Sequence, residues 1–212
     1  METHETYNKK FDLLVKKHKH LCPLLWFHTA NQTANDKRFC CVAKPIHKMN
    51  GEKYDENRKL SMTDHWNSAE HHHARKQNLK NSKEAHLPEC WTCWKQEENN
   101  IASYRNEAIE GFVYEDITTK KVIIENITKT INGDIEEFHN PTSFDIKFGN
   151  LCNLKCPTCS PHSSSQLHKE VTQNNMYMGN TEDDDVFSNF YKDWNQSDAD
   201  WTEDKTWWED FN

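Results

Sequence analysis

The stretch Phe144–Ser165, FDIKFGNLCNLKCPTCSPHSSS, decides how the chain is read. Phe144-Asp145-Ile146-Lys147-Phe148 alternates apolar and polar residues, the period of a strand half-buried on one face, and Gly149-Asn150 stops it. Three cysteines follow at once, Cys152, Cys156 and Cys159, in C-x3-C-x2-C spacing. Thiolates so spaced on one loop can wrap one corner of a cubane cluster, and soft sulfur suits iron–sulfur clusters and zinc alike. Their number discriminates. A structural four-iron cluster normally takes four cysteines, so three leave one iron open, as an open catalytic metal keeps a position for substrate. Ser160 reads as the cap and Pro161 as the first turn of a helix after this loop, with a role beside a cofactor for Ser160 or His162 as the sharper alternative.

Working outward, a second constellation lies upstream: Cys22, then Cys40-Cys41, then Cys90-Trp91-Thr92-Cys93. LLWFHTANQ and KRFCCVA flank the turn residues Thr33–Asp36, which predicts a hairpin. Consecutive strand residues point to opposite faces, so one of Cys40 and Cys41 joins the set; Cys40 is taken, with Cys41 left open. Cys22, Cys40, Cys90 and Cys93 then close a tetrahedral or cubane site with no vacancy, which suits a structural or electron-relay role. His28, on the hairpin strand, reads as a hydrogen-bonded strand histidine or as a neighbour of that site.

Four regions are expected. Residues 1–20 read as a loosely held lead-in without a clear cap. Residues 21–110 hold the hairpin, a helix from Ser68 to Asn81, and a third element, helical, over Glu89–Ala108. His71-His72-His73 cannot share one helical face and read as a solvated surface. Residues 111–143 form a β-rich connector: VYEDITTKKVIIENITKTINGDI is rich in β-branched residues, with Asn132-Gly133 as a turn signal. In the last region, 144–212, Phe187, Trp194, Trp201 and Trp208 recur every seven positions, the pattern of an amphipathic helix.

Composition narrows the classes. The chain has 212 residues and 24 Phe, Trp and Tyr, enough aromatics for a folded core despite 28 % charged residues. The net charge of −8 belongs to residues 181–212, which hold 11 acids and 2 lysines; the remainder is nearly neutral. No basic stripe for nucleic acid results. No apolar run approaches a membrane span and Met1–Lys10 lacks a signal-peptide pattern, so a cytoplasmic protein with reduced thiols is expected and no membrane partner.

Phe144–Ser165 resembles the first strand and cluster loop of radical S-adenosylmethionine (radical SAM) enzymes. CPLLWFHTANQ, RFCCV and ECWTCWKQEENNIASYR resemble the twitch or SPASM type of auxiliary-cluster module. The resemblance implies a 4Fe-4S cluster on Cys152, Cys156 and Cys159 whose open iron chelates S-adenosylmethionine, cleaved reductively to a 5′-deoxyadenosyl radical. It also implies a second, auxiliary 4Fe-4S cluster on Cys22, Cys40, Cys90 and Cys93, and an electron donor such as a flavodoxin or ferredoxin. The fold class expected is α/β: a small α+β cluster-binding module, then the first strand, cluster loop and helices of an incomplete (β/α) barrel. Thr158 stands where the family has an aromatic residue, and no Gly-Gly-Glu segment occurs. The chain therefore reads as the front part of an enzyme, either truncated, completed by a second polypeptide, or a remnant that binds metal without turnover, and turnover by it alone is not expected. The rival reading is a non-catalytic zinc protein, with His162 or His168 joining the second triplet. Nothing in the sequence chooses a substrate.

Overall fold

A computed structural model describes residues 2–32, 36–46, 60–134, 138–147, 152, 154–159 and 164–174. The heptad aromatics at 187–208, Ser160 and His162 lie outside the described residues. In chain order the elements are α1 (His4–Lys17), β1 (His28–Gln32), β2 (Asp36–Arg38), α2 (Met62–Trp66), α3 (Ala69–Asn78), α4 (Trp91–Glu98), α5 (Tyr104–Gly111), α6 (Ile117–Asn132), β3 (Ser143–Ile146) and α7 (Ser165–Gln173). The protein is thus mixed α and β, with one three-stranded sheet of order β2-β1-β3 among the described residues. The strand expected at Phe144 exists as β3, and it sits beside β1 of the hairpin. The chain divides into two compact units, one of Met1–Asn31 with Lys37–Asp145, the other of Gln32–Asp36 with Ile146–Asn212.

Residues 111–143 do not form a β-rich connector. Their centre is α6, a helix of 16 residues. Asp116 caps it, its side chain accepting from the amides of Thr118 and Thr119 at 2.8 and 3.0 Å. Gly133 ends it at φ 78°, the left-handed conformation that glycine adopts without a Cβ penalty. Ten β-branched residues lie between these caps, and each costs a helix about 0.5 kcal/mol relative to alanine, roughly 5 kcal/mol in all. Burial outweighs that. Val122, Ile123, Ile124 and Ile127 are each at most 8 % exposed, and each contributes about 1.5–3 kcal/mol when buried. The Asn132-Gly133 pair is therefore a helix stop and not a hairpin turn.

The lead-in at 1–20 is likewise ordered. Thr3 caps α1, and Tyr7 and Phe11, four residues apart on one face, are buried against the core. Phe11 stacks on Phe112 with ring centroids 3.8 Å apart. The third element breaks in two, α4 and α5, because Ser103 starts a new helix with a capping box to Asn106. The helix predicted from Ser68 starts there as α3, its cap accepting from the His71 amide.

The histidine triplet on α3 is not a solvated surface. His71 is fully buried, His72 half-buried and His73 exposed. His71 packs against Phe39, Trp66 and His65 at 4.9, 4.9 and 5.2 Å between ring centroids. One turn later Arg75 is also buried, donating to the carbonyls of Leu25 and Trp66 and sandwiched between the Trp66 and Phe138 rings. No helix among the described residues is long and apolar enough to cross a membrane.

Candidate thiol-rich metal centre

Three separate segments bring four cysteines to one small cavity. Cys22, Cys40, Cys90 and Cys93 line it together with Leu24, Val42, Ala43, Thr92, Trp94 and Arg105, and its volume is about 20 Å³. Cys22 precedes the short 3-10 turn Pro23–Trp26, and its amide donates to the Asn78 side chain at the end of α3, at 2.7 Å. Cys40 lies past β2 in a tight turn, where the Ala43 amide donates to its carbonyl at 3.1 Å. That turn is tied to the third segment by the Lys44 amide, which donates to the Glu89 carbonyl at 2.8 Å. Cys90 occupies the residue before α4, without a side-chain capping bond, and Cys93 lies in the first turn. Both thus sit at the N-terminal end of the helix.

Cys40 and Cys41 diverge, although by turn geometry and not by the alternation of a strand. Cys40 is buried and faces the cavity, whereas Cys41 is half-buried beside Tyr104 and Asp145. His28 does not line the cavity; its Nδ1 bonds the Ser143 hydroxyl at 2.8 Å.

Burial pushes the Cys40 thiol up to about 12 and raises Cys22 and Cys90 as well, with the neighbouring cysteines adding to each. These three therefore carry protons at neutral pH, and an incoming cation must displace them. Among the described residues no three His, Cys, Asp or Glu side chains are arranged to hold a metal ion as they stand. The donor set nonetheless fits a soft metal. Four sulfurs face one space, and no carboxylate or amide side chain shares the lining.

Trp94 and Arg105, which line the cavity, are backed by two histidines that do not. The Trp94 ring stacks on His86 at 4.4 Å, His20 meets both edge-on, and the Arg105 guanidinium lies 4.9 Å from the Trp94 centroid. Burial and the neighbouring His86 hold His20 below the usual imidazole range. The signal for Arg105 was scarcity: four of the 26 basic residues are arginine, and two of those, Arg75 and Arg105, are buried.

The second triplet belongs to the other unit. Cys152 and Cys156 are half-buried and Cys159 is exposed. The Cys159 amide donates to the Cys156 carbonyl at 3.0 Å, and desolvation together with the Cys156 and Cys152 thiols raises the Cys159 pKa. The Leu154 amide donates to Cys152 Sγ at 3.4 Å. Two serines at the start of α7 pin the loop: Ser164 Oγ donates to the Leu154 carbonyl at 2.7 Å, and Ser165 Oγ donates to the Cys152 carbonyl at 3.1 Å. His168 lies on α7 one turn after Ser164, which caps that helix.

No family model matches the chain, and neither a curated protein nor a solved structure matches it.

Proposed function

We propose that the chain is an iron–sulfur protein of the radical SAM type. In this reading Cys152, Cys156 and Cys159 hold a 4Fe-4S cluster that binds S-adenosylmethionine, and Cys22, Cys40, Cys90 and Cys93 hold an auxiliary 4Fe-4S cluster. The observation that carries it is the convergence of four cysteines, from segments far apart in sequence, on one cavity with no competing ligand type. Bound at the triplet, such a cluster would supply an electron and an open iron to the sulfonium of S-adenosylmethionine. The chain's own contribution there is to present three thiols on a loop whose carbonyls Ser164 and Ser165 fix, with the Leu154 amide aimed at Cys152 Sγ to stabilise negative charge on sulfur. The electron would come from a flavodoxin- or ferredoxin-like donor, and a second polypeptide could complete the walls around the cofactor.

A second reading has an observation in its favour. A cavity of about 20 Å³ offers room for about one water-sized body, which suits a single tetrahedral Zn²⁺ on the four upstream cysteines better than a cube. Iron, acid-labile sulfide and zinc per chain separate the two, measured after anaerobic purification and reconstitution on wild type and on a Cys152/Cys156/Cys159→Ala triple variant. About eight iron and eight sulfide, falling to about four of each in the variant, is the expected result. One or two zinc with negligible sulfide would overturn the iron–sulfur reading in favour of structural zinc.

A further inference from the structure

Arg105 is buried to 8 % exposure, and each of its three guanidinium nitrogens makes a hydrogen bond. Nε and Nη2 form a fork on the Glu97 carboxylate, at 2.9 and 2.5 Å. Nη1 donates to the Leu21 carbonyl at 3.1 Å and to the Lys19 carbonyl at 3.4 Å. Glu97 is held further by the Ser103 hydroxyl at 2.5 Å. Burial pushes the Glu97 carboxyl up, but the bonds from Arg105 and Ser103 outweigh it and hold the group below the usual carboxylate range. Each anchor leads to a cysteine. Leu21 precedes Cys22 in the chain, Glu97 is on α4 whose first turn holds Cys93, and Arg105 itself lines the cavity and lies against Trp94.

We propose that Arg105 is the positioning residue of the four-cysteine centre, bracing the Cys22 arm against the Cys90–Cys93 helix so that their thiols face one another. This rests on the reading of those cysteines as metal ligands. The brace needs a planar fork: a lysine ammonium at this position could satisfy Glu97 or the two carbonyls, but not both. Groups that orient ligands without touching the metal typically govern affinity by 10–100-fold. The segment carrying Cys152, Cys156 and Cys159 shares none of these anchors, so its metal affinity serves as an internal reference.

The test uses the full chain and Co²⁺ as the probe, because tetrahedral cobalt on four thiolates absorbs visibly and can be titrated against a chelator. Arg105→Gln and Arg105→Lys should both bind Co²⁺ at the upstream site about 10–100-fold more weakly, with binding at the triplet unchanged. In the metal-free chain Cys22 should alkylate faster in both variants, mapped by mass spectrometry. If Arg105→Gln fails to fold, as judged by circular dichroism and tryptophan emission, Glu97→Gln keeps the arginine, removes half of the fork and should shift both readouts in the same direction. Wild-type affinity in Arg105→Gln, or full rescue by Arg105→Lys, overturns the brace, the latter by showing that charge alone matters. Should the wild type take no Co²⁺ at these cysteines, the metal reading itself falls. The Cys22 alkylation rate then decides the bracing geometry independently.

Discussion

Acid should unfold this protein well before its carboxylates titrate, because three imidazoles are buried neutral. Burial holds His28 down to about 4 and His65 down to about 3, with Lys37 adding to the effect on His65. His71 is held well below the usual range by burial, then by the positive charges of Arg75 and by His65. The charged groups facing His65 and His71 among the described residues are Lys37 on β2 and Arg75 on α3, both positive. In the unfolded chain each imidazole titrates near 6.5, so below that pH the unfolded state binds more protons and stability falls with pH. The contribution is intact above pH 6.5 and is lost as pH drops from there toward the folded values. At pH 5.5 each histidine costs about 1.4 kcal/mol relative to pH 7.5, so the three together cost about 4 kcal/mol, a large share of the 5–15 kcal/mol that holds a typical domain. His71→Phe gives the clean test, since the ring already packs among Phe39, Trp66 and His65. Urea denaturation at pH 7.5, 6.5 and 5.5 should show the variant losing about 1.4 kcal/mol less than wild type over the range. Taking the difference between the two proteins cancels any competition between protons and metal at the cysteines. Equal losses in both, or a wild-type loss below about 1 kcal/mol, would refute the claim that these imidazoles are buried without their protons.

Two further substitutions probe other parts of the argument. Gly133→Ala places a Cβ in open space at φ 78°, so only backbone strain is introduced, and the denaturation midpoint should fall by the equivalent of about 1 kcal/mol; an unchanged midpoint would mean that α6 ends elsewhere in solution. Cys40→Ser should abolish metal at the upstream site while Cys41→Ser retains it, because Cys40 alone of the two lines the cavity; metal analysis showing the reverse would transfer the ligand role to Cys41.

What could be read from the sequence depended on whether local signals agreed with tertiary ones. The alternation from Phe144 located β3 but not its buried face, since Phe144 is exposed; α3 was legible because the Ser68 cap points the same way as the packing. α6 was not, because its β-branched content speaks for a strand, while the decisive signals, Asp116 and Gly133 at its ends and the spacing of Ile123, Ile127 and Thr130 on one face, are positional. α1 was obscured by charge: its apolar contact is made chiefly by Tyr7 and Phe11, set among lysines and acids. The His71-His72-His73 run shows the same limit. That three consecutive residues cannot share a face follows from the helical period, but which of them turns inward is set by Phe39 and Trp66, distant in the chain. The four upstream cysteines could be chosen by spacing and residue chemistry; Arg105 and Asn78, which hold their backbone in place, carry no spacing signal at all.

The two cysteine groups differ in what a bound metal would do to the fold, and this follows from where they lie along the chain. Joining Cys22 to Cys40 and Cys40 to the Cys90–Cys93 pair closes two long loops, over residues 22–40 and 40–90. By the loop-closure estimate these remove about 3 and 4 kcal/mol of unfolded-chain entropy, comparable with the whole stability of a domain. Metal at this site would therefore act on the fold itself, and the buried, protonated thiols of Cys22, Cys40 and Cys90 put a proton cost on its entry. Cys152, Cys156 and Cys159 lie close together in the chain, and the same estimate gives about 2 kcal/mol for each of the two short loops that link them, so metal there would restrict the unfolded chain less than metal upstream. Cys159 is exposed, and the loop is secured by two serine hydroxyls. A metal held there would add less to the fold than one held at the upstream cysteines. On the proposed reading, the exposed triplet would be the centre that meets a small molecule, and the upstream set the one whose metal would stabilise the fold.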